Sequence, residues 1–214
     1  MILKVQRFIN ELMTSNCYVV YNEDIKRCLV IDPASERSLH EIEFIEKNGL
    51  VLDYIILSHE HTDHTWGVNS LKKAYPSAKV VCSELCKQNL KKEIQAYFLF
   101  YYDDPSYRYT VCQIDVTTEE LDNSIEWYDN IIEIIPTPGH SMGSICIFID
   151  SVLFSGDAIL MSKPYVNKRN GNKEMYIDSV NKILSMFNPD TLIYPGHGEY
   201  FKLKEYSEFI EKMI

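Results

Sequence analysis

The sequence contains no Cys-x-x-Cys pair, no apolar stretch approaching the roughly 18 residues of a membrane span, no surplus of basic charge and no linker-like run. Each absence removes a class of protein from consideration. With 21 basic against 31 acidic residues the net charge is −10, so a broad phosphate-binding surface for nucleic acid is not expected. The six cysteines, Cys17, Cys28, Cys82, Cys86, Cys112 and Cys146, fall mostly in apolar strand-like segments and read as reduced core thiols. The start, Met1-Ile2-Leu3-Lys4, lacks a basic segment followed by a long apolar one, which leads us to expect a cytoplasmic chain that binds no membrane.

What remains is ordinary globular composition, 46% apolar and 24% charged, enough for one core in one domain over residues 1–214. Short β-branched runs at about 2–9, 16–22 and 27–32 predict a strand meander, and Leu39, Ile42 and Ile45 share one face of a helix over 36–48 that Gly49 stops. A strand at 51–57, helices at 65–75 and 83–95, and a strand at 79–82 then begin a β/α alternation. Segment 96–123 lacks sustained periodicity and reads as a partly helical, aromatic-rich insertion carrying Tyr97, Phe98, Phe100, Tyr101, Tyr102, Tyr107 and Tyr109. An acidic chain rarely leaves so many clustered rings in water, so this segment is expected to form core, a pocket wall or a homodimer contact. Strands follow at 125–135, 144–149, 152–155 and 191–194, with helices at 173–186 and 202–213, which makes the class α/β.

The chemistry concentrates in histidine. His59-Glu60-His61-Thr62-Asp63-His64 packs four candidate metal ligands into six residues directly after the strand ending at Leu57. In extended chain, His59, His61 and Asp63 share one side, and a helix capped by Thr62 or Asp63 would swing His64 towards a second position. Downstream, His140 follows Pro138-Gly139, His197 stands between Gly196 and Gly198, and Asp157 follows Ser155-Gly156. Each lies just past a strand-like run, so all can gather at one edge of the fold. Imidazoles suit zinc, iron and similar ions, and a carboxylate with two free oxygens can bridge a pair about 3.5–4 Å apart, the role we assign to Asp157. His40, among glutamates on the first helix, reads as exposed and uninvolved. Gly67, Gly139, Gly143 and Gly156 read as turn and close-approach positions.

Taken in order, His-x-His-x-Asp-His at 59–64, Pro-Gly-His-Ser at 138–141, Gly-Asp at 156–157 and Gly-His-Gly at 196–198 resemble the motifs of the metallo-β-lactamase superfamily, over nearly the whole chain. The resemblance implies a four-layer αβ/βα sandwich. It implies that His59, His61 and His140 hold one metal, that Asp63, His64 and His197 hold the other, and that Asp157 and a hydroxide lie between them. Two divalent cations against two aspartates and one hydroxide leave about +1, a local positive focus in an acidic chain. Asp63 and Asp157 are the expected catalytic carboxylates, and the ions are expected to be zinc, with iron or manganese as alternatives. Lys163, Tyr165, Lys168 and Arg169 follow Asp157 in sequence and are candidates to bind an anionic part of a small-molecule substrate.

The compact chain is most similar to the short glyoxalase II-like hydrolases of the superfamily, which implies hydrolysis of a thioester or similar small ester. Only 16 residues follow Gly198, so no counterpart is expected for the helical domain that helps glyoxalase II hold glutathione. Lactone, lactam or phosphodiester hydrolysis also fits the motifs. So does a persulfide dioxygenase with one iron at positions matching His59, His140 and Asp157. The diiron flavoprotein branch carries Glu where His61 stands and does not fit.

Overall fold

The computed structural model describes residues 3–10, 13–91, 109–163, 165–166 and 171–211. Two six-stranded sheets form its centre. The first begins as an antiparallel meander of β1 (Lys4–Ile9), β2 (Asn16–Asn22) and β3 (Arg27–Ile31), and continues with β4 (Val51–Ile56), β5 (Lys79–Cys82) and β6 (Val116–Thr117) in parallel. Crossovers run through α1 (Leu39–Lys47), then α2 (Thr62–Thr65) with α3 (Val68–Ala74), then α4 (Glu84–Leu90). The second sheet is built from β7 (Ser124–Trp127), β8 (Asn130–Pro136), β9 (Ile145–Ile149), β10 (Val152–Gly156), β11 (Leu192–Pro195) and β12 (Phe201–Lys202). Helix α5 (Lys173–Met186) joins the parallel pair β10 and β11, and α6 (Leu203–Glu211) follows β12.

Strand periodicity explains the layering. Successive side chains point to opposite faces, so Tyr18, Val20, Leu29 and Ile31 enter the core between the sheets while Cys17, Val19, Cys28 and Val30 enter a second core with Ile45, Val68, Leu71 and Cys86 from the helices. On the other sheet Ile145, Ile147 and Ile149 face the shared core, and Cys146 and Leu153 pack with Val180, Ile183 and Tyr206 under α5 and α6. The result is helix, sheet, sheet, helix. Truncating a fully buried side chain such as Leu29 to Ala costs about 2–5 kcal/mol, a large share of the ~5–15 kcal/mol that holds a domain.

Several expectations change in detail. The expected strand at 125–135 is a hairpin, because the chain turns at Tyr128 and Asp129; no glycine marks that turn, and Tyr128 itself adopts φ 55°. The expected helix at 65–75 is broken at Gly67, where a Cβ would meet the Ser35 carbonyl oxygen at 2.7 Å, and its first turn starts earlier, at Thr62. The final helix is preceded by the short strand β12. Of the segment 96–123, the described part (109–123) gives the edge strand β6 and a 3-10 turn at Glu119–Leu121; residues 96–108, with six of the seven clustered aromatics, lie outside the described residues. Cys112 is exposed, unlike the other five cysteines, so it is not a core thiol. No helix among the described residues is long and apolar enough to cross a membrane.

Candidate metal centre

Parallel strands release their side chains at a common edge. β3 ends into Asp32, β4 into the loop that carries His59 and His61, β10 into Asp157, and β11 into Gly196 and His197. Two backbone hydrogen bonds stitch the sheets together there: Ile145 donates to Ser58 (2.9 Å) and Asn16 donates to Gly196 (2.7 Å). His140 reaches the same edge from the loop between β8 and β9.

Two groups of ligand atoms result. His59, His61 and His140 present nitrogens within 4.8 Å of one another, and the ligand atoms of Asp63, His64 and His197 lie equally close together. Within the first group His61 Nδ1 lies 3.1 Å from His59 Nε2 and 3.0 Å from His140 Nε2. Asp157 stands between the groups: its Oδ2 is 3.5 Å from His140 Nε2 and 3.6 Å from His197 Nε2, and its Oδ1 is 3.5 Å from His64 Nε2. Asp63 Oδ2 lies 3.4 Å from His197 Nε2. Gly196 makes this approach feasible, since a Cβ there would run into the Asp157 carboxylate and stand 2.8 Å from the His64 ring. All seven sequence candidates therefore meet in one place. His40 lies apart from them, exposed on α1.

Asp63 reaches the centre by a different route from the expected one. Alternation along an extended loop accounts for His59 and His61, but Asp63 and His64 lie inside α2, whose N-cap is His61, and neither Thr62 nor Asp63 caps it. Both ligands are turned inward by helical winding instead.

The ring tautomers follow from the outer hydrogen bonds. His140 Nδ1 donates to the Tyr165 carbonyl (2.7 Å), and His64 Nδ1 donates to Asp32 Oδ2 (3.0 Å). Ser58 gives its one hydroxyl proton to Asp32 (2.6 Å), so its oxygen accepts from His59 Nδ1 (2.9 Å). Each of these three rings thus commits Nδ1 to an outer partner and turns Nε2 inward, the arrangement by which outer partners orient imidazoles for a metal. Asp32 could itself count as a ligand beside His59 and His64. Its oxygens are already taken by the Ser58 amide (2.7 Å), the Ser58 hydroxyl and His64, so its role is to orient them.

Charge is divided unevenly across the centre. Burial, reinforced by His140, pushes His61 down to about 4, and burial with His64, His61 and His140 holds His59 well below the ordinary histidine range. Both are neutral at pH 7. Burial works against charge on Asp63 as well, but His64, His197 and His61 outweigh it and keep the carboxyl well below its usual range. Burial likewise opposes charge on His64, yet Asp157, Asp63 and Asp32 raise it to about 10. Among the described residues His64 Nε2 and Asp157 Oδ1 are buried without a hydrogen-bond partner. A cation between them would satisfy both, and nitrogen and carboxylate donors in this mixture suit a borderline divalent ion. The residues fit metal.

The substrate candidates are less tightly placed. Tyr165 is 62% exposed with its ring 6.3 Å from that of His140, and Lys163 is exposed; Lys168 and Arg169 lie outside the described residues. Sequence reasoning missed Asp32, Ser58 and Glu60. An aspartate directly after β3 marks Asp32 as an edge residue, and Glu60 is the odd-parity neighbour of two inward histidines, but nothing in sequence tells what either touches.

Comparison with known proteins gives the class. The sequence profile described as the metallo-beta-lactamase superfamily matches residues 11–197, and the chain belongs to that superfamily. It is 27% identical over 190 residues to a hydroxyacylglutathione hydrolase of Vibrio campbellii, covering 89% of this chain and 61% of that protein. It is 28% identical over 186 residues to a probable polyketide biosynthesis zinc-dependent hydrolase of Bacillus subtilis, covering 86% and 73%. The chain thus spans about three fifths of the Vibrio relative. In fold it is similar to the B3 metallo-beta-lactamase BLEG-1, with a TM-score of 0.78 at 22% identity over 96% of this chain and 97% of that one.

Proposed function

We propose that the chain is a metal-dependent hydrolase of small thioesters or related esters that holds two divalent ions, with zinc as the first choice. The observation that carries this reading is the pair of ligand groups on either side of Asp157, with unpartnered His64 Nε2 and Asp157 Oδ1 facing the gap. His59, His61 and His140 would hold one ion, Asp63, His64 and His197 the other, and Asp157 would serve both. Bound there, divalent metal polarises a carbonyl and brings a water towards deprotonation near neutral pH. Relatives named as hydrolases, one of them zinc-dependent, support the reaction class and the metal.

The chain's own residues supply the rest. Asp63 keeps its negative charge in a largely buried centre, and His59 and His61 stay neutral, so these donors remain available across the neutral range. A thiolate leaves without needing a proton, which suits a site whose histidines and aspartates are all engaged as ligands. Tyr165, tied through its carbonyl to His140, and Lys163 are the described residues we assign to substrate contact beside the centre. Elemental analysis of zinc- and iron-loaded protein, run with thiol release from a thioester panel and an oxygen electrode, tests the proposal. Two ions and thiol release without oxygen uptake are expected. Oxygen uptake with a persulfide and no thiol release from any thioester would reject hydrolysis.

A further inference from the structure

Glu60, set between the two histidines of the first group, is fully buried and points away from them. Its carboxylate takes the Ser141 hydroxyl at 2.6 and 2.5 Å on its two oxygens and the Asn89 side-chain amide of α4 at 3.1 Å. Ser141 follows His140 directly. Its hydroxyl also accepts from the Gly143 amide (3.1 Å), and Ser83, the N-cap of α4, donates to the Gly143 carbonyl (2.7 Å). A Cβ on Gly143 would meet the Cys86 backbone nitrogen at 2.5 Å, so loop and helix are in close contact. One carboxylate therefore joins the loop of His59 and His61 to the loop of His140, with α4 behind both. The second group is secured elsewhere: Ser15 donates to the Asp63 carbonyl (2.5 Å), Asp32 accepts from His64, and Ser15 pairs with His197 in an isolated bridge.

We propose that Glu60 is a positioning residue specific to the first metal position, a clasp that sets how closely the His140 loop approaches His59 and His61. The geometry favours this role, because the three nitrogens come from two separate loops and the carboxylate reaches from one to the other. The inference rests on the two-metal reading above.

The test is competition against a chromophoric chelator, with zinc and separately with cobalt, on full-length folded protein. In a His197→Ala background, where only the first position remains, Glu60→Ala should weaken binding by about 10–100-fold and alter the cobalt absorption spectrum, and Glu60→Gln should return affinity to within roughly threefold. In a His140→Ala background Glu60→Ala should change binding by less than about threefold. Equal weakening in both backgrounds, or none in the first, would overturn the clasp. If Glu60→Ala does not fold, Ser141→Ala replaces it with the same expected asymmetry, and equal weakening there overturns the clasp as well. Unsubstituted protein that takes up only one ion would sink the two-metal reading, and the Glu60 variants would then be read on that single ion, where loss of affinity still supports the clasp and its absence rejects it.

Discussion

The two ligand groups sit side by side and are built on opposite electrostatic terms. The first is three imidazoles, desolvated and pushed towards neutrality by one another. The second contains a carboxylate and adjoins two more, and there the same desolvation is overcome, so that His64 is held above the ordinary histidine range and its neighbour His59 well below it. Two histidines with ring centroids 4.3 Å apart are thus shifted in opposite directions because of where three aspartates lie. Burial sets how strong the effect of a neighbour is, and the neighbour sets its sign.

The widest break in this comparison is at Asp157, which touches both groups. Asp157→Ala should lower affinity for both ions and reduce thioester turnover by about 100-fold or more, while His40→Ala stays within about twofold. Metal content and turnover measured on both variants check this, and equal effects would show that one of the two residues has been misplaced. A narrower cut separates the groups. His140→Ala and His197→Ala should each leave one ion per chain by elemental analysis, with affinity for the lost ion reduced by at least about 10-fold. Two ions retained in either variant would contradict the division.

Next in size is Asp32, the outer partner shared between the groups. Asp32→Asn keeps the shape but supplies an amide where the Ser58 hydroxyl and His64 Nδ1 both donate. Metal affinity should fall by about 10-fold, and folding stability by about 1–3 kcal/mol from the donors left unpaired. Chelator competition and denaturant unfolding measure the two effects, and a loss of stability with unchanged affinity would assign Asp32 to the core alone.

The smallest effect contrasts Asp32 with Glu41, a carboxylate buried under α1 whose oxygens make no hydrogen bond among the described residues. Burial raises its pKa, with its own backbone amide and the nearby Cys17 thiol offsetting part of the shift. The folded chain therefore holds this proton more tightly than the unfolded one. Its contribution to stability is complete below the ordinary glutamate pKa and is lost as pH rises through the raised folded value. Glu41→Met should stabilise the protein by about 1–2 kcal/mol near pH 8 and by less near pH 4.5. Thermal unfolding at the two pH values decides it, and an equal change at both would show that folding does not raise the Glu41 pKa.

These contrasts also mark what sequence could reveal. Histidines and aspartates clustered just past strand ends stand out in a sequence, so the seven candidate donors that meet at one edge and the α/β alternation were readable directly. Boundaries were lost where backbone conformation departs from residue preference, as at Tyr128, and where a helix begins without a capping side chain, as at Thr62. The partners of the ligands were invisible for another reason. Asp32 and Ser58 are 26 residues apart and meet only once β3 and β4 have paired, and Glu60 and Ser141 are 81 apart and meet only after the sheets have stacked. Local periodicity carries no trace of it.

Asn16 ties the second group to the time course of folding. Its side chain donates to the carbonyls of Pro195 (2.9 Å) and Gly198 (2.8 Å), across separations of 179 and 182 residues. Closing so large a loop is among the slow steps of a chain's assembly. His59, His61 and His140 have all been synthesised well before His197 leaves the ribosome, whereas the turn holding His197 finds its anchor only when β2 meets the end of β11. On the two-metal reading proposed above, the imidazole group should therefore mature first, and refolding followed by cobalt absorbance would resolve an early and a late phase.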